Sequence, residues 1–262
     1  MQPLGLQQIV KVCWLNIVLN DEASRPFHVF VIALVHPSCL SSRIICLSLP
    51  IYKKEPMIKL LRSSIFAGIA IGTAGFGFLA AGVQAEAYGS LAGAVLFSFG
   101  LLTVVGYKLK LYTGTAGFIN KGEIGQLFLI LLGNIIGCFI ASLLTRVTPL
   151  EIQAAAQRIL EGRIRTGALN CGLLGIGCGF IMTTAVQFAR QKQYLPLLFG
   201  VPLFIICGFT HCVADAFYYL CVPLSFWKLH ALEILGVYAF IVLGNLVGCN
   251  LYRIVLTKEQ YQ

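Results

Sequence analysis

The chain has 262 residues, 58% of them hydrophobic and 11% charged, with a mean hydropathy of +0.86. Soluble domains carry about 25% charged residues, so the composition excludes one and points to an integral membrane protein. The formal net charge of +9 does not signal nucleic acid, because Lys and Arg sit at the ends of apolar segments and between them rather than in one aromatic-studded patch.

Residues 1–56 read differently from the rest. The apolar run from Phe27 to Val35 is too short to span a bilayer, and Pro26, Pro37 and Pro50 break the stretch. A signal peptide fits poorly, since no basic residues lead directly into an apolar stretch and no small-residue cleavage site follows. The expectation is that the natural product starts at Met57 or that 1–56 is a poorly ordered tail, with the six-helix transmembrane domain at 57–262.

Six apolar segments then follow, at about 61–84, 90–112, 124–145, 167–188, 196–221 and 232–255. Each is long enough for a transmembrane helix of roughly 20 residues, and none alternates as a transmembrane strand would. Lys53, Lys54, Lys59 and Arg62 precede the first span, Arg190 and Lys192 lie in the fourth connection, and Arg253 and Lys258 follow the last. By the positive-inside tendency both termini are cytoplasmic, in a multi-pass cell-membrane protein. Arg146, Arg158, Arg163 and Arg165 in the third connection argue the other way, only partly offset by Glu151 and Glu161. Of ten cysteines, seven fall within or at the spans and no CxxC pair occurs. They read as small apolar packing residues, and no metal, disulfide framework or cofactor is expected.

The two halves carry one pattern in the same order. Gly68-Ile-Ala-Ile-Gly72, Leu96-Phe97 and Gly133-Asn-Ile-Ile-Gly137 recur, 107 to 111 residues on, as Gly175-Ile-Gly-Cys-Gly179, Leu203-Phe204 and Gly244-Asn-Leu-Val-Gly248. Three spans per half place the second half upside down relative to the first, the inverted-repeat architecture of many transporters and channels. The expected fold is therefore all-α: six transmembrane helices in two inverted three-helix repeats.

Polar residues interrupt the second and fifth spans. Lys108 and Lys110, with Gly106, Thr113 and Gly114, cannot sit in one lipid-facing helix, and irregular backbone at that depth needs protein or water around it. We expect the second span to stop near Gly106 and a half-helix to resume near Thr113, its free N–H groups facing an anion. After Phe204 the stretch Gly208-Phe-Thr-His-Cys-Val-Ala-Asp215 interrupts the fifth span. His211 and Asp215, four apart, share a face if a helix resumes there, and ionisable residues so placed usually face a bundle interior or a pathway. Gly133-Asn134 and Gly244-Asn245 open small-residue motifs for close helix approach, the amides bonding across the interface.

Residues 57–262 resemble the formate/nitrite transporter family of pentameric anion channels, which includes hydrosulfide channels. The motifs that carry the resemblance are Phe97-Ser98 followed by Leu111-Tyr112-Thr113, and Gly208-Phe-Thr-His211 with Val213-Ala214 and Phe217. The resemblance implies an aquaporin-like fold with broken second and fifth helices and a homopentamer. Phe97 and Phe204 then look like the two apolar constrictions, Leu111 and Thr113 like pore-lining loop residues, His211 like the central histidine and Asn245 like the pore-side asparagine of the sixth helix. Lys110 stands where the family commonly has an acidic residue, Gly179 where its fourth helix is expected to carry asparagine, and Asp215 where it usually has asparagine. The partners implied are a small inorganic or carboxylate anion (formate, nitrite or hydrosulfide class), protons and the lipid bilayer.

Lys108 and Lys110 would then raise the local anion concentration, with Asp215 tuning the substrate. Passage of a bare anion between apolar rings is costly, so protonation would assist, by a water-borne proton or by His211 itself. We expect a neutral His211 that hydrogen-bonds the solute. Two other readings stand beside this one: a pore for a neutral small solute, which lacks an Asn-Pro-Ala pair here, and a membrane-embedded enzyme using His211 and Asp215 as base and orienter, for which no nucleophile motif is present. A transporter rather than an enzyme is the expectation.

Overall fold

A computed structural model of the chain describes residues 15–20, 26–31, 56–85 and 87–256. Lys53, Lys54 and Lys258, which bear on the topology reading, lie outside the described residues, as does most of the leading segment. The chain divides into two units, Met1–Lys54 and Glu55–Gln262. In the first, β1 (Leu15–Asn20) and β2 (Pro26–Val31) pair antiparallel, Leu15 opposite Val31, an element the all-α expectation did not contain.

The described part of the second unit is helical. In order it has α1 (Met57–Gln84), α2 (Gly89–Gly106), α3 (Tyr112–Ala116), α4 (Ile124–Ser142), α5 (Ile152–Thr166), α6 (Ala168–Arg190), α7 (Leu195–Ile206), α8 (Cys212–Cys221) and α9 (Leu224–Val255). Five helices are long and apolar enough to cross a membrane: α1, α2, α4 with the 3-10 turn after it, α6 and α9. The fifth apolar segment is divided between α7 and α8, and α9 bends at His230. Large apolar side chains such as Phe66, Phe99, Phe128, Phe199 and Leu243 point outward, as a hydrocarbon solvent permits.

The third connection, which the sequence reading treats only as a charged link, contains α5. Its Ile152, Ala156 and Leu160 are fully buried at helical spacing of four while Arg158 and Arg165 are exposed, the stripe of an amphipathic helix.

Glycines bring α1 against α4 and α6 against α9. A Cβ on Gly137 would strike the Ile65 carbonyl and one on Gly68 the Asn134 carbonyl; a Cβ on Gly248 would strike the Ile176 carbonyl and one on Gly179 the Asn245 carbonyl. These contacts pair Gly68 with Gly179 and Ile65 with Ile176, 111 residues apart. The sequence pairing of Gly68 with Gly175 is thus one helical turn out of step, because small residues recur along both helices at about one-turn spacing and a one-turn slip still aligns glycine with glycine.

Candidate functional site

Both helix interruptions close with the same backbone turn. At the end of α2 the Leu109 N–H donates to the Val104 carbonyl and the Lys108 N–H to Val105; at the end of α7 Phe209 donates to Phe204 and Gly208 to Ile205. This is the Schellman arrangement, which needs a left-handed residue at its turn. That residue is Lys108 (φ 54°) in the first case and Gly208 (φ 68°) in the second. The chain then runs extended through Leu111 and His211, the residues that precede α3 and α8.

Each interruption is held by an asparagine from a later helix. Asn134 of α4 accepts from the Tyr112 N–H (2.9 Å) and donates to the carbonyls of Ser64 (2.8 Å) and Lys110 (2.9 Å). Asn245 of α9 accepts from the Cys212 N–H (2.8 Å) and donates to those of Gly175 and Thr210, both at 2.9 Å. Asn245 is fully buried, both its amide protons bonding main chain. Its place is therefore behind the second interruption, and Asn134, read from sequence as a packing residue, does the same for the first. One turn past each asparagine a thiol crosses to the opposite half: Cys138 Sγ reaches the Val213 carbonyl (3.3 Å) and Cys249 Sγ the Thr113 carbonyl (3.4 Å).

The two interruptions meet where Thr113 Oγ1 lies 2.9 Å from His211 Nε2, both residues buried. His211 Nδ1 accepts the Ala214 N–H at 3.1 Å, so the ring caps α8. With Nδ1 engaged as an acceptor, the proton of the neutral ring sits on Nε2 and points to the Thr113 hydroxyl. Phe204 stacks on His211 with ring centroids 5.7 Å apart, and Phe97 meets Phe204 edge-on at 6.1 Å. Phe97 and Phe204, expected as two apolar constrictions, are in edge-on contact with each other, and Phe204 lies against the imidazole. Leu111, 1% exposed, lies immediately ahead of Tyr112 and Thr113 in the first interruption.

Asp215 does not orient the imidazole ring. Its Oδ2 accepts the His211 main-chain N–H at 2.9 Å, and its Oδ1 accepts from Arg163 Nε at 3.0 Å. Arg163 Nη1 also donates to the Gly208 carbonyl at 2.9 Å, so one guanidinium from α5 spans the gap between α7 and α8. Burial works against the Arg163 charge and the Asp215 carboxylate more than offsets it, raising the pKa above its ordinary value. Sequence reasoning missed Arg163, though a signal existed: a buried carboxylate requires a cation, and four arginines lie in the third connection.

A cavity of about 320 Å³ opens on this side, its wall including His211, Phe204, Phe209, Arg158, Arg163 and Asp215. Lys108 and Lys110 do not line it. Lys108 is exposed and Lys110 half-buried in the other interruption, where the Lys110 N–H donates to the Ser63 hydroxyl at 3.0 Å.

A family model described as formate/nitrite transporter matches residues 51–257. A solved structure described as a pentameric formate channel with formate bound aligns with a TM-score of 0.66 and 22% identity, over 75% of this chain and 94% of that one. A second, described as an ion channel of the FNT family, gives 0.64 at 18% identity, over 74% and 87%. At these identities the likeness is one of fold. No curated protein matches the chain.

Proposed function

Because the chain belongs to the formate/nitrite transporter family, we propose that it conducts a small monovalent anion of a weak acid, of the formate, nitrite or hydrosulfide class, past His211. The observation that carries this reading is the Thr113–His211 hydrogen bond. It sets a buried imidazole against a buried hydroxyl where the two helix interruptions meet, beside an aromatic pair and in the wall of a cavity of about 320 Å³. A solute that takes the place of the Thr113 hydroxyl receives the Nε2 proton as a hydrogen bond.

The aromatic pair makes passage of a bare anion costly, since a charge stripped of water in an apolar setting is strongly disfavoured. Neutralisation removes most of that cost, so permeation is proton-assisted. The cap geometry favours a water-borne proton over one delivered by the ring. To give up Nε2–H as an acid, the ring must first be protonated on Nδ1, and that nitrogen is already accepting the Ala214 N–H. His211 is then a neutral hydrogen-bond donor, with Thr113 and Leu111 lining the opposite lip. Asn245 and Asn134 act from behind by fixing the interruptions.

The same reading takes α7 and α8 together as one crossing, giving six crossings in two inverted halves with both termini cytoplasmic and α5 on the outer side. The protein is a homopentamer with one pore per protomer, as its formate-channel neighbour is pentameric. Residues ahead of the matched segment form an extension outside the channel domain.

The test is uptake of labelled formate, nitrite and hydrosulfide into liposomes holding the purified protein, at about pH 5.5 and about pH 7.5. Saturable uptake of one of them that rises at the lower pH, and is lost in both His211→Phe and Thr113→Ala, is expected. Uptake unchanged by both substitutions would sink the reading.

A further inference from the structure

We propose that Arg158 is the cation that gathers anions at the cavity leading to His211, and that Asp215 withholds the charge of Arg163 from that task. The proposal rests on the anion-pore reading above. Three side chains that carry charge at neutral pH line the cavity: Arg158, Arg163 and Asp215. Arg163 and Asp215 are joined at 3.0 Å, and the remaining reach of the guanidinium goes to the Gly208 carbonyl. The Arg163 side chain is 18% exposed and that of Asp215 1%. A closed ion pair presents a dipole to the cavity, whose potential falls off much faster with distance than that of a single charge.

Arg158 is in a different situation. It is exposed, it lies on α5 one turn ahead of Gly162 in the same cavity wall, and no carboxylate among the described residues is within ion-pair distance of it. The net charge facing a solute in the cavity is therefore the charge of Arg158. A lone cation at the mouth of a low-dielectric cleft raises the local anion concentration without touching the narrow part of the path. The lysines singled out in the sequence, Lys108 and Lys110, belong to the other interruption and do not contribute on this side.

Asp215→Asn keeps one side-chain oxygen to accept the His211 N–H and puts an amide NH2, a donor, where the second carboxylate oxygen accepted from Arg163, so the compensating charge and the Arg163 bond are lost together. It releases a second cation into the cavity wall. The two sites therefore push capture in opposite directions, which a purely architectural role for either would not produce.

The experiment is the concentration dependence of formate, nitrite and hydrosulfide flux into neutral-lipid liposomes, at low and high salt, for the full chain and its variants. For whichever anion is carried, Arg158→Gln is expected to raise the half-saturating concentration roughly three- to tenfold at low salt with maximal flux unchanged, the difference shrinking at high salt as screening predicts. Asp215→Asn is expected to lower it by a similar factor, and Arg163→Gln combined with Asp215→Asn to return it to the starting value. An Arg158→Gln variant with unaltered half-saturation at low salt overturns the proposal, as does an Asp215→Asn variant whose half-saturation does not fall. Absence of flux of all three anions in the unsubstituted protein overturns the anion-pore reading and this proposal with it, whereas flux indifferent to Arg158 overturns this proposal alone.

Discussion

At the first interruption a half-helix of five residues begins behind Leu111; at the second, one of ten residues begins behind His211. The backbone turns are the same and an asparagine holds each, yet the residue at the cap differs. Leu111 has no side chain that can accept a main-chain N–H, and the first interruption meets the imidazole of the second through the Thr113 hydroxyl. His211 caps its helix through Nδ1, is bonded at its own N–H by Asp215, and is tied through Arg163 to the end of α7. One scaffold thus yields a simple lip on one side and a braced polar node on the other. The difference teaches that the asparagines set the architecture while the capping residues set the chemistry.

The strongest way to break this comparison is to remove the shared part. Asn134→Ala and Asn245→Ala each strand one buried N–H and one carbonyl outside the helices, those of Tyr112 and Lys110 or of Cys212 and Thr210, at about 1–3 kcal/mol per unsatisfied group. Both variants are expected to lose several kcal/mol, read as a large fall in detergent melting temperature or folded yield. A loss at only one of them would show that the halves are not held alike.

Next in size is Arg163→Met, which leaves Asp215 buried without its cation. Breaking a buried pair costs ~3–5 kcal/mol, and the partial exposure of Arg163 places the expected loss at or below the lower end. The loss should be largely recovered by adding Asp215→Asn, measured by the same melting experiment, whereas no single charge change in the first interruption should matter as much.

His211→Asn and His211→Phe separate cap from donor. Asparagine is a good N-cap, so the phenylalanine variant should be less stable by about 1 kcal/mol, while both lose the Nε2 donor and therefore the proposed flux. Retained flux in His211→Asn would mean that the ring matters for the cap alone.

The smallest effect concerns the turn itself. Lys108 occupies a left-handed conformation that Gly208 adopts freely, so Lys108→Gly is expected to stabilise by up to ~1 kcal/mol. A melting temperature that falls instead would show that the lysine side chain holds its turn by contacts that outweigh the backbone strain.

Much of this was legible in the sequence, for definite physical reasons. Lysines, glycines and threonines in an otherwise apolar stretch marked the end of α2 at Gly106, and His211 and Asp215 stood out because ionisable groups are expensive at that depth. What escaped were relationships between distant residues. Arg163 lies 52 residues from Asp215, and in a basic connection nothing distinguishes one arginine from its neighbours. The imidazole nitrogen that caps a helix and the proximity of Phe97 to Phe204 depend on side-chain direction. The role of Asn134 could have been inferred from Asn245, which the repeat already paired with it, but which backbone groups an amide reaches depends on the fold of distant segments.

The asparagines also impose an order in time. Each stands later in the chain than the interruption it satisfies: Tyr112 waits for Asn134, 22 residues downstream, and Cys212 for Asn245, 33 residues downstream. While a ribosome is still extending the chain, the main-chain groups of Tyr112 and Lys110 therefore lack these partners until α4 has been made, and must remain in contact with water or with the insertion machinery. The first half can close on itself before the second has been synthesised. Of the ties between the halves, Thr113 to His211 and Cys138 to Val213 await α8, and only Cys249 to Thr113 awaits α9, so the last helix to emerge completes the interruption of its own half and adds the final tie to that of the other.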